Sequence, residues 1–347
     1  LMRSSAASDV YKRQVKELGM DSAAITDHGV MYGVIDFYRA AREAGINPIL
    51  GCEVYVAPGS RFEREVGSGD DRYYHLVLLA ENNQGYSNLM KIVSKAFVEG
   101  FYYKPRVDLE LLEKYHEGII ALSACLAGEV ARYLQRGMYE DAKAAALRYQ
   151  DIFGKGNFFL ELQDHGIPAQ RLVNQELLRM HEETGIDLVA TNDVHYTRAE
   201  DADPHDILLC LQTNKKLADE DRMRYEGGQY YVKSPEEMAR LFPYALEALE
   251  NTHKIALRCH VEIEFGVTKL PKYDVPDGLT AWEYLNKLCH EGLEQRYHPV
   301  TDALKKRLDY ELSTIKNMGY VDYFLIVWDF IKYARDNDIC LLYTSPS

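Results

Sequence analysis

The chain has 347 residues, 47% of them hydrophobic, enough for one sizeable α/β domain and part of a second. A net charge of −14 excludes a protein that grips nucleic acid with its whole surface, because phosphate neutralisation needs Lys and Arg, but it leaves open a local surplus of carboxylates around divalent cations. No stretch approaches the roughly 20 apolar residues that span a bilayer, no secretory signal is evident, and six cysteines without paired spacing suggest neither a disulfide framework nor a zinc knuckle; the expected setting is the cytoplasm, with no membrane partner.

Residues 1–14, LMRSSAASDVYKRQ, join abruptly onto the end of a helix and read as a non-native tail. The first apolar run of strand length, SAAIT, closes on Asp27 and His28. The helix pattern YGVIDFYRAAREAG follows, then the run NPILGCEVYV carrying Glu53. The run YHLVLLA opens with His75, whereas the others end in polar residues, so either this strand enters the sheet in the opposite sense or His75 sits in the loop above it. After the helix pattern YSNLMKIVSKAFVEG, FYYKPRVD interleaves aromatics with Lys104 and Arg106, as a single-stranded nucleic-acid contact or an ordinary exposed loop would. The run GIIALSA leads to Cys125. Past the helix pattern MYEDAKAAALRYQDIFG, NFFLEL leads to Glu161, Asp164 and His165, the last two as cleft-lining groups or part of a plain turn. The helix pattern PAQRLVNQELLRMHEETG precedes IDLVAT, which leads to Asp193 and His195.

Strands alternating with helices imply βα units and a largely parallel sheet, whose strand carboxyl ends converge on one face. Beyond residue 199 the chain turns polar and punctuated, and ALEALENTHKIALRC then reads as an amphipathic helix. The proline-bearing stretch LPKYDVPDGLT marks a linker over 266–280. Helical patterns fill 281–339, with the basic run Lys305, Lys306 and Arg307 read as a solvated face, and residues 340–347 read as a second non-native tail.

His, Glu, Cys and Asp are the donors that zinc or manganese sites use, and a shared carboxylate can bridge two cations. His28, Glu53, His75, Cys125, Asp193 and His195 lie in separate segments, mostly at strand ends. In an extended strand residues i and i+2 share a face, so Asp193 and His195 can meet at one site. Each signal has a bland counterpart: an Asp-His pair as a helix cap, Cys125 as core filler.

The strings AITDHGVMYGVIDFYRAAREAGINPILGCEVYVAPGSR, YHLVLLAENNQGYSNLMKIVSKAFVEGFYYKPRVD, GIIALSACLAGEV and ATNDVHY together resemble the PHP (polymerase and histidinol phosphatase) domain of bacterial DNA polymerase III alpha subunits, and GYVDYFLIVWDFIKYARDNDI resembles the opening of that family's palm. The resemblance covers residues 15–339. It implies a distorted (β/α)7 barrel over 15–265, a linker over 266–280 and the helical beginning of a polymerase palm over 281–339. It also implies up to three divalent ions: Glu53 bridging two, Asp193 on the first, His28 and His195 on the second, His75 and Cys125 on the third. Asp27, Arg106, Asp164 and His165 are candidate substrate contacts.

Members of the family begin with an HxHxxxS-type motif that the sequence lacks, so under-coordinated first and second metals and an inactive fragment are expected. The palm aspartates are also absent from it. The family's function implies DNA, deoxynucleotides, a proofreading exonuclease subunit and a sliding clamp as partners, and magnesium for polymerisation by the whole protein. Three activities compete for the metal-binding region itself: a 3′ to 5′ exonuclease, a structural module that docks the proofreading subunit, and a stand-alone phosphatase, against which the palm-like residues weigh.

Overall fold

The computed structural model describes residues 14–64, 72–267 and 269–340. The proposed tails over 1–14 and 340–347 fall almost wholly outside the described residues. The chain divides into two compact units, Leu1–Ile263 and Glu264–Ser347.

The first unit is a mixed α/β fold on a curled half-barrel sheet. In chain order it carries β1 (Ser22–Ile25), α1 (Val34–Ala44), β2 (Asn47–Val56), β3 (Tyr74–Ala80), α2 (Asn83–Val98), β4 (Phe101–Tyr102), β5 (Lys104–Val107), α3 (Leu109–Tyr115), β6 (Ile119–Leu122), α4 (Glu129–Gln135) and α5 (Tyr139–Phe153). Then come β7 (Phe158–Leu162), α6 (Pro168–Thr184), β8 (Leu188–Ala190), α7 (Ala202–Thr213), α8 (Pro235–Leu241) and α9 (Leu246–Arg258). The strand order is β4-β5-β2-β3-β6-β7-β8, with β1 paired to β2.

β2 is the spine of the sheet. Its residues from Pro48 to Val56 are all buried, so it reads as an almost unbroken apolar run rather than an alternation, as a strand covered on both faces must. Gly51 lets it approach β3: a Cβ there would stand 2.6 Å from the Leu78 carbonyl oxygen. The main core gathers the inward faces of β2, β3, β6, β7 and β8 against α2, α4, α5 and α6, around Leu76, Leu89, Ile92, Leu112, Tyr149, Phe158 and Leu177.

The sheet departs from the parallel arrangement at two strands, the two-residue β4, which is antiparallel to β5, and β3. β1–β2, β2–β5, β6–β7 and β7–β8 are parallel, but β3 runs antiparallel to both β2 and β6. Side-chain alternation is the same in either direction, so the apolar pattern of YHLVLLA does not encode this reversal.

FYYKPRVD is also not a free loop. It forms the β4–β5 hairpin beside β2, where Pro105 is tolerated because β5 pairs with β2 only from Arg106 onward. Arg106 is fully buried there, its guanidinium donating to the carbonyls of Gly100, Arg61 and Glu63 and lying 5.1 Å from the Tyr102 ring centre. Its role is to fasten the loop before β3 to the sheet edge. The expectation that Arg106 touches substrate is therefore corrected.

The second unit contains α10 (Ala281–Arg296), α11 (Asp302–Asn317) and α12 (Val321–Asp336) around a small core of Leu285, Leu312 and Leu325. α10 starts at a capping box, in which the Thr280 hydroxyl accepts from the Glu283 N–H and the Glu283 carboxylate accepts from the Thr280 N–H. Tyr323, Phe324 and Phe330 on α12 stay exposed. No helix among the described residues is long and apolar enough to cross a membrane.

Candidate metal centre

The site grows from the parallel register of β1 and β2. That register continues past the end of β1 as a bridge between His28 and Glu53, with the Glu53 N–H donating to the Asp27 carbonyl at 3.1 Å and the Gly29 N–H donating to the Glu53 carbonyl at 2.9 Å. Gly29 has φ +67°, and a Cβ there would stand 2.8 Å from the Tyr55 ring, so glycine is what allows the chain to turn away directly after His28.

The reversal of β3 then explains His75. β2 ends and an antiparallel β3 begins at the same edge, with Tyr55 opposite His75, so the first residues of β3 arrive where the last residues of β2 leave. Of the two arrangements open for His75, the opposite strand sense is the one present.

Glu53 is 5% exposed and its two oxygens face different ways. Oε1 lies 2.7 Å from His75 Nδ1 and 3.9 Å from Cys125 Sγ, which is itself 3.8 Å from His75 Nδ1; Oε2 lies 3.4 Å from His28 Nε2. Ligand atoms of His28, Glu53 and His75 all fall within 4.8 Å of one another. The His28 ring centre is 5.9 Å from that of His195, whose Nε2 lies 3.3 Å from Asp193 Oδ1. The six residues thus form one continuous cluster.

Asp193 and His195 meet for a different reason from the one their spacing suggests. β8 ends at Ala190, and Asp193 is in the left-handed region at φ 42°, so a turn and not an extended strand folds the aspartate back onto the imidazole.

Burial sets the protonation states. It lowers the His28 pKa, against the pull of Glu53, which favours the neutral imidazole that a metal needs. Burial opposes ionisation of Asp193, but the His195 hydrogen bond and neighbouring imidazoles outweigh it and hold that carboxyl below its ordinary value. The Cys125 thiol is pushed well up by burial and by Glu53, so a nearby cation is the agent that would draw out its proton. Imidazoles, carboxylates and one thiol gathered over these distances fit a divalent metal ion.

The remaining candidates fall outside the cluster. Asp27 is exposed, and what ties it to the cluster is its backbone carbonyl, which accepts from the Glu53 N–H. Asp164 accepts from the Gly166 N–H at 2.9 Å, as a turn aspartate does. His165 is only 2% exposed: its Nδ1 accepts from Gln170, its Nε2–H donates to the Asn192 carbonyl at 2.9 Å, and its ring stacks 3.8 Å from Tyr230. It supports the Asp193 turn from beneath and is corrected as a substrate contact.

Two groups near the site carried no role in the sequence reading. Tyr225 packs its ring 4.2 Å from His195, and nothing in its polar surroundings signals this. Glu161, buried on β7, has a carboxyl raised to about 7 by that burial. It does carry a signal, being an acid inside an otherwise apolar strand.

Residues 1–165 match the family model of the PHP domain, and residues 283–342 match that of the bacterial DNA polymerase III alpha NTPase domain. The DNA polymerase III subunit alpha of Treponema pallidum is 46% identical over 328 residues, covering 94% of this chain and 28% of that protein. That of Borreliella burgdorferi is 46% identical over 334 residues, covering 96% of this chain and 29% of that protein. The chain spans under a third of the curated relatives it matches. A solved amidohydrolase from Chromobacterium violaceum is 14% identical, with 54% of this chain and 82% of that one covered at a TM-score of 0.34, too low an overlap to bear on function.

Proposed function

We propose, for a chain that belongs to the bacterial DNA polymerase III alpha-subunit family and spans under a third of its relatives' length, that the unit ending at Ile263 is a divalent-cation centre cleaving phosphodiester bonds at DNA 3′ ends, within a subunit whose overall activity is DNA synthesis. The observation that carries this reading is the split of the Glu53 carboxylate between two donor groups, His75 with Cys125 on one oxygen and His28 on the other. A carboxylate so placed suits bridging of two cations, which in phosphoryl-transfer sites stand about 3.5–4 Å apart. On this reading His75 and Cys125 serve one ion, His28 and His195 a second, and Asp193 a further one, with zinc or manganese as the metal.

Bound cations would supply charge stabilisation to the phosphoryl oxygens and activation of a water. The protein's own groups do the rest. The His28 side chain is 36% exposed, which leaves the cluster open to a terminal phosphate, and Asp193 is kept ionised by His195 in a turn that fixes its direction. Residues 15–265 constitute the PHP domain in this reading and 281–339 the start of the palm, with magnesium serving polymerisation elsewhere in the subunit. DNA, deoxynucleotides, a proofreading exonuclease subunit and a sliding clamp are the proposed partners.

The 347-residue chain, dialysed with zinc or manganese and measured by elemental mass spectrometry, is expected to retain metal that Glu53→Gln loses. The whole subunit is expected to shorten a 5′-labelled single-stranded oligonucleotide from its 3′ end, with Glu53→Gln abolishing shortening and leaving primer extension intact. Retained metal without shortening would move the site to the structural, docking role. No retained metal would end the reading.

A further inference from the structure

We infer that Glu161 is a positioning residue that locks the Cys125 loop and the Asp193 loop together, acting through hydrogen bonds to the backbone of one and a side chain of the other. The inference rests on the metal-centre reading only in what the two loops are for.

The geometry starts in the β6–β7 ladder. Ala121 pairs with Phe158 and Leu122 with Phe159, so the same register would set Ala124 opposite Glu161. The strand stops first. Ala124 turns to φ 64°, a left-handed conformation that an alanine adopts only at a cost in strain, and its N–H leaves the ladder. The Glu161 side chain supplies the acceptor for that N–H, its Oε2 receiving it at 2.9 Å, while the Ser123 hydroxyl accepts from the Glu161 N–H at 2.8 Å. Cys125 is the next residue, and the same loop closes on β3 through the His75 N–H to the Ala127 carbonyl. The direction of the Cys125 thiol toward Glu53 and His75 thus follows from the turn that Glu161 holds.

The other carboxylate oxygen serves the second loop. Oε1 accepts from the Thr191 hydroxyl and from Gln163 Nε2, and Thr191 lies two residues before Asp193. Two of the three donors on Glu161, Ala124 and Thr191, therefore come from chain ends that lead into the cluster, and the side chain is too deeply buried to touch substrate.

The charge is not required for this, only the acceptor pattern. A glutamine at 161 can accept from Ala124 through its oxygen and donate through its amide to the Thr191 hydroxyl and to a flipped Gln163, whose Oε1 has no partner. Leucine can do neither.

The test is alkylation of metal-free chain with iodoacetamide, followed by peptide mass spectrometry, with the exposed Cys340 as internal standard. Glu161→Leu is expected to speed Cys125 modification at least tenfold, and Glu161→Gln to stay within about twofold of the unchanged chain. Equal acceleration in both variants would mean that the effect is charge, and no acceleration in either would mean that the loop holds itself; both overturn the inference. As a second measurement, cobalt-loaded chain should show a thiolate charge-transfer band that Glu161→Leu weakens and Glu161→Gln keeps. A chain with no such band, yet with the alkylation pattern intact, would count against the metal centre and leave the positioning role supported.

Discussion

Replacing Glu53 by glutamine perturbs the group on which the metal centre depends, and the structure sets the size of the effect. Both oxygens are engaged, one 2.7 Å from His75 Nδ1 and the other 3.4 Å from His28 Nε2, so the amide must turn a donor toward one of the two imidazoles and can no longer bridge. Losing a mere orienting partner of a metal ligand typically weakens binding by about 10–100-fold; a ligand serving both sides belongs at the upper end, about 100-fold, or roughly 2.7 kcal/mol. At a zinc concentration 100 times the dissociation constant, binding stabilises the unaltered chain by about 2.7 kcal/mol, whereas the variant at the same concentration gains only RT ln 2, about 0.4 kcal/mol. For a unit of this size, each kcal/mol moves the melting temperature by about 2–4 °C. Calorimetry should therefore show a zinc-dependent rise of roughly 5–11 °C for the unaltered chain and about 1 °C for Glu53→Gln. Asp164→Asn, in a turn outside the cluster, serves as control and should behave like the parent. A Glu53→Gln chain that keeps the full zinc-dependent rise would refute the assignment of Glu53 as a shared ligand.

Two further outcomes follow from buried charge. Arg61→Ala strips the guanidinium that donates to both oxygens of the 4%-exposed Asp108, the residue that also caps α3, and is expected to destabilise the chain by about 3 kcal/mol in urea titrations; a change under 1 kcal/mol would mean the pair is solvated. The Glu161 carboxyl, raised by burial from its ordinary 4.5 to about 7, keeps a proton in the folded state between those pH values that the unfolded chain has lost, so its contribution to stability falls as pH rises through that window. Metal-free Glu161→Gln should match the parent below pH 4.5 and exceed it by up to roughly 3 kcal/mol above pH 7; a difference that does not vary with pH would count against a neutral buried acid.

The apolar runs marked the sheet well, because strands buried on both faces cannot hide: YHLVLLA became β3 residue for residue, and NPILGCEVYV became β2. Strand direction was not written in them, since a period of two is blind to it, and so the place of His75 stayed open until the antiparallel register was seen. The β4–β5 hairpin was obscured by Pro105 and by the charge of Arg106, which looks like a surface group in a string of letters and is fully buried once three carbonyls surround it. The polar stretch after residue 199 hid α7, where only His205, Leu209 and Cys210 are buried and the apolar stripe is correspondingly thin. At the site, Glu53, His75 and Cys125 were named from donor chemistry. Glu161 was named as a polar residue ending a strand but given no role, because its value lies in the Ala124 N–H that it receives, a contact that only the fold creates.

The most direct test of the account is anomalous diffraction at the zinc or manganese edge from crystals of metal-soaked chain. One peak is expected bounded by Glu53, His75 and Cys125, with the sulfur about 2.3 Å from a zinc ion, and a second on the His28 side of the same carboxylate. Metal found only away from Glu53, or bound there with Cys125 turned aside, would contradict it.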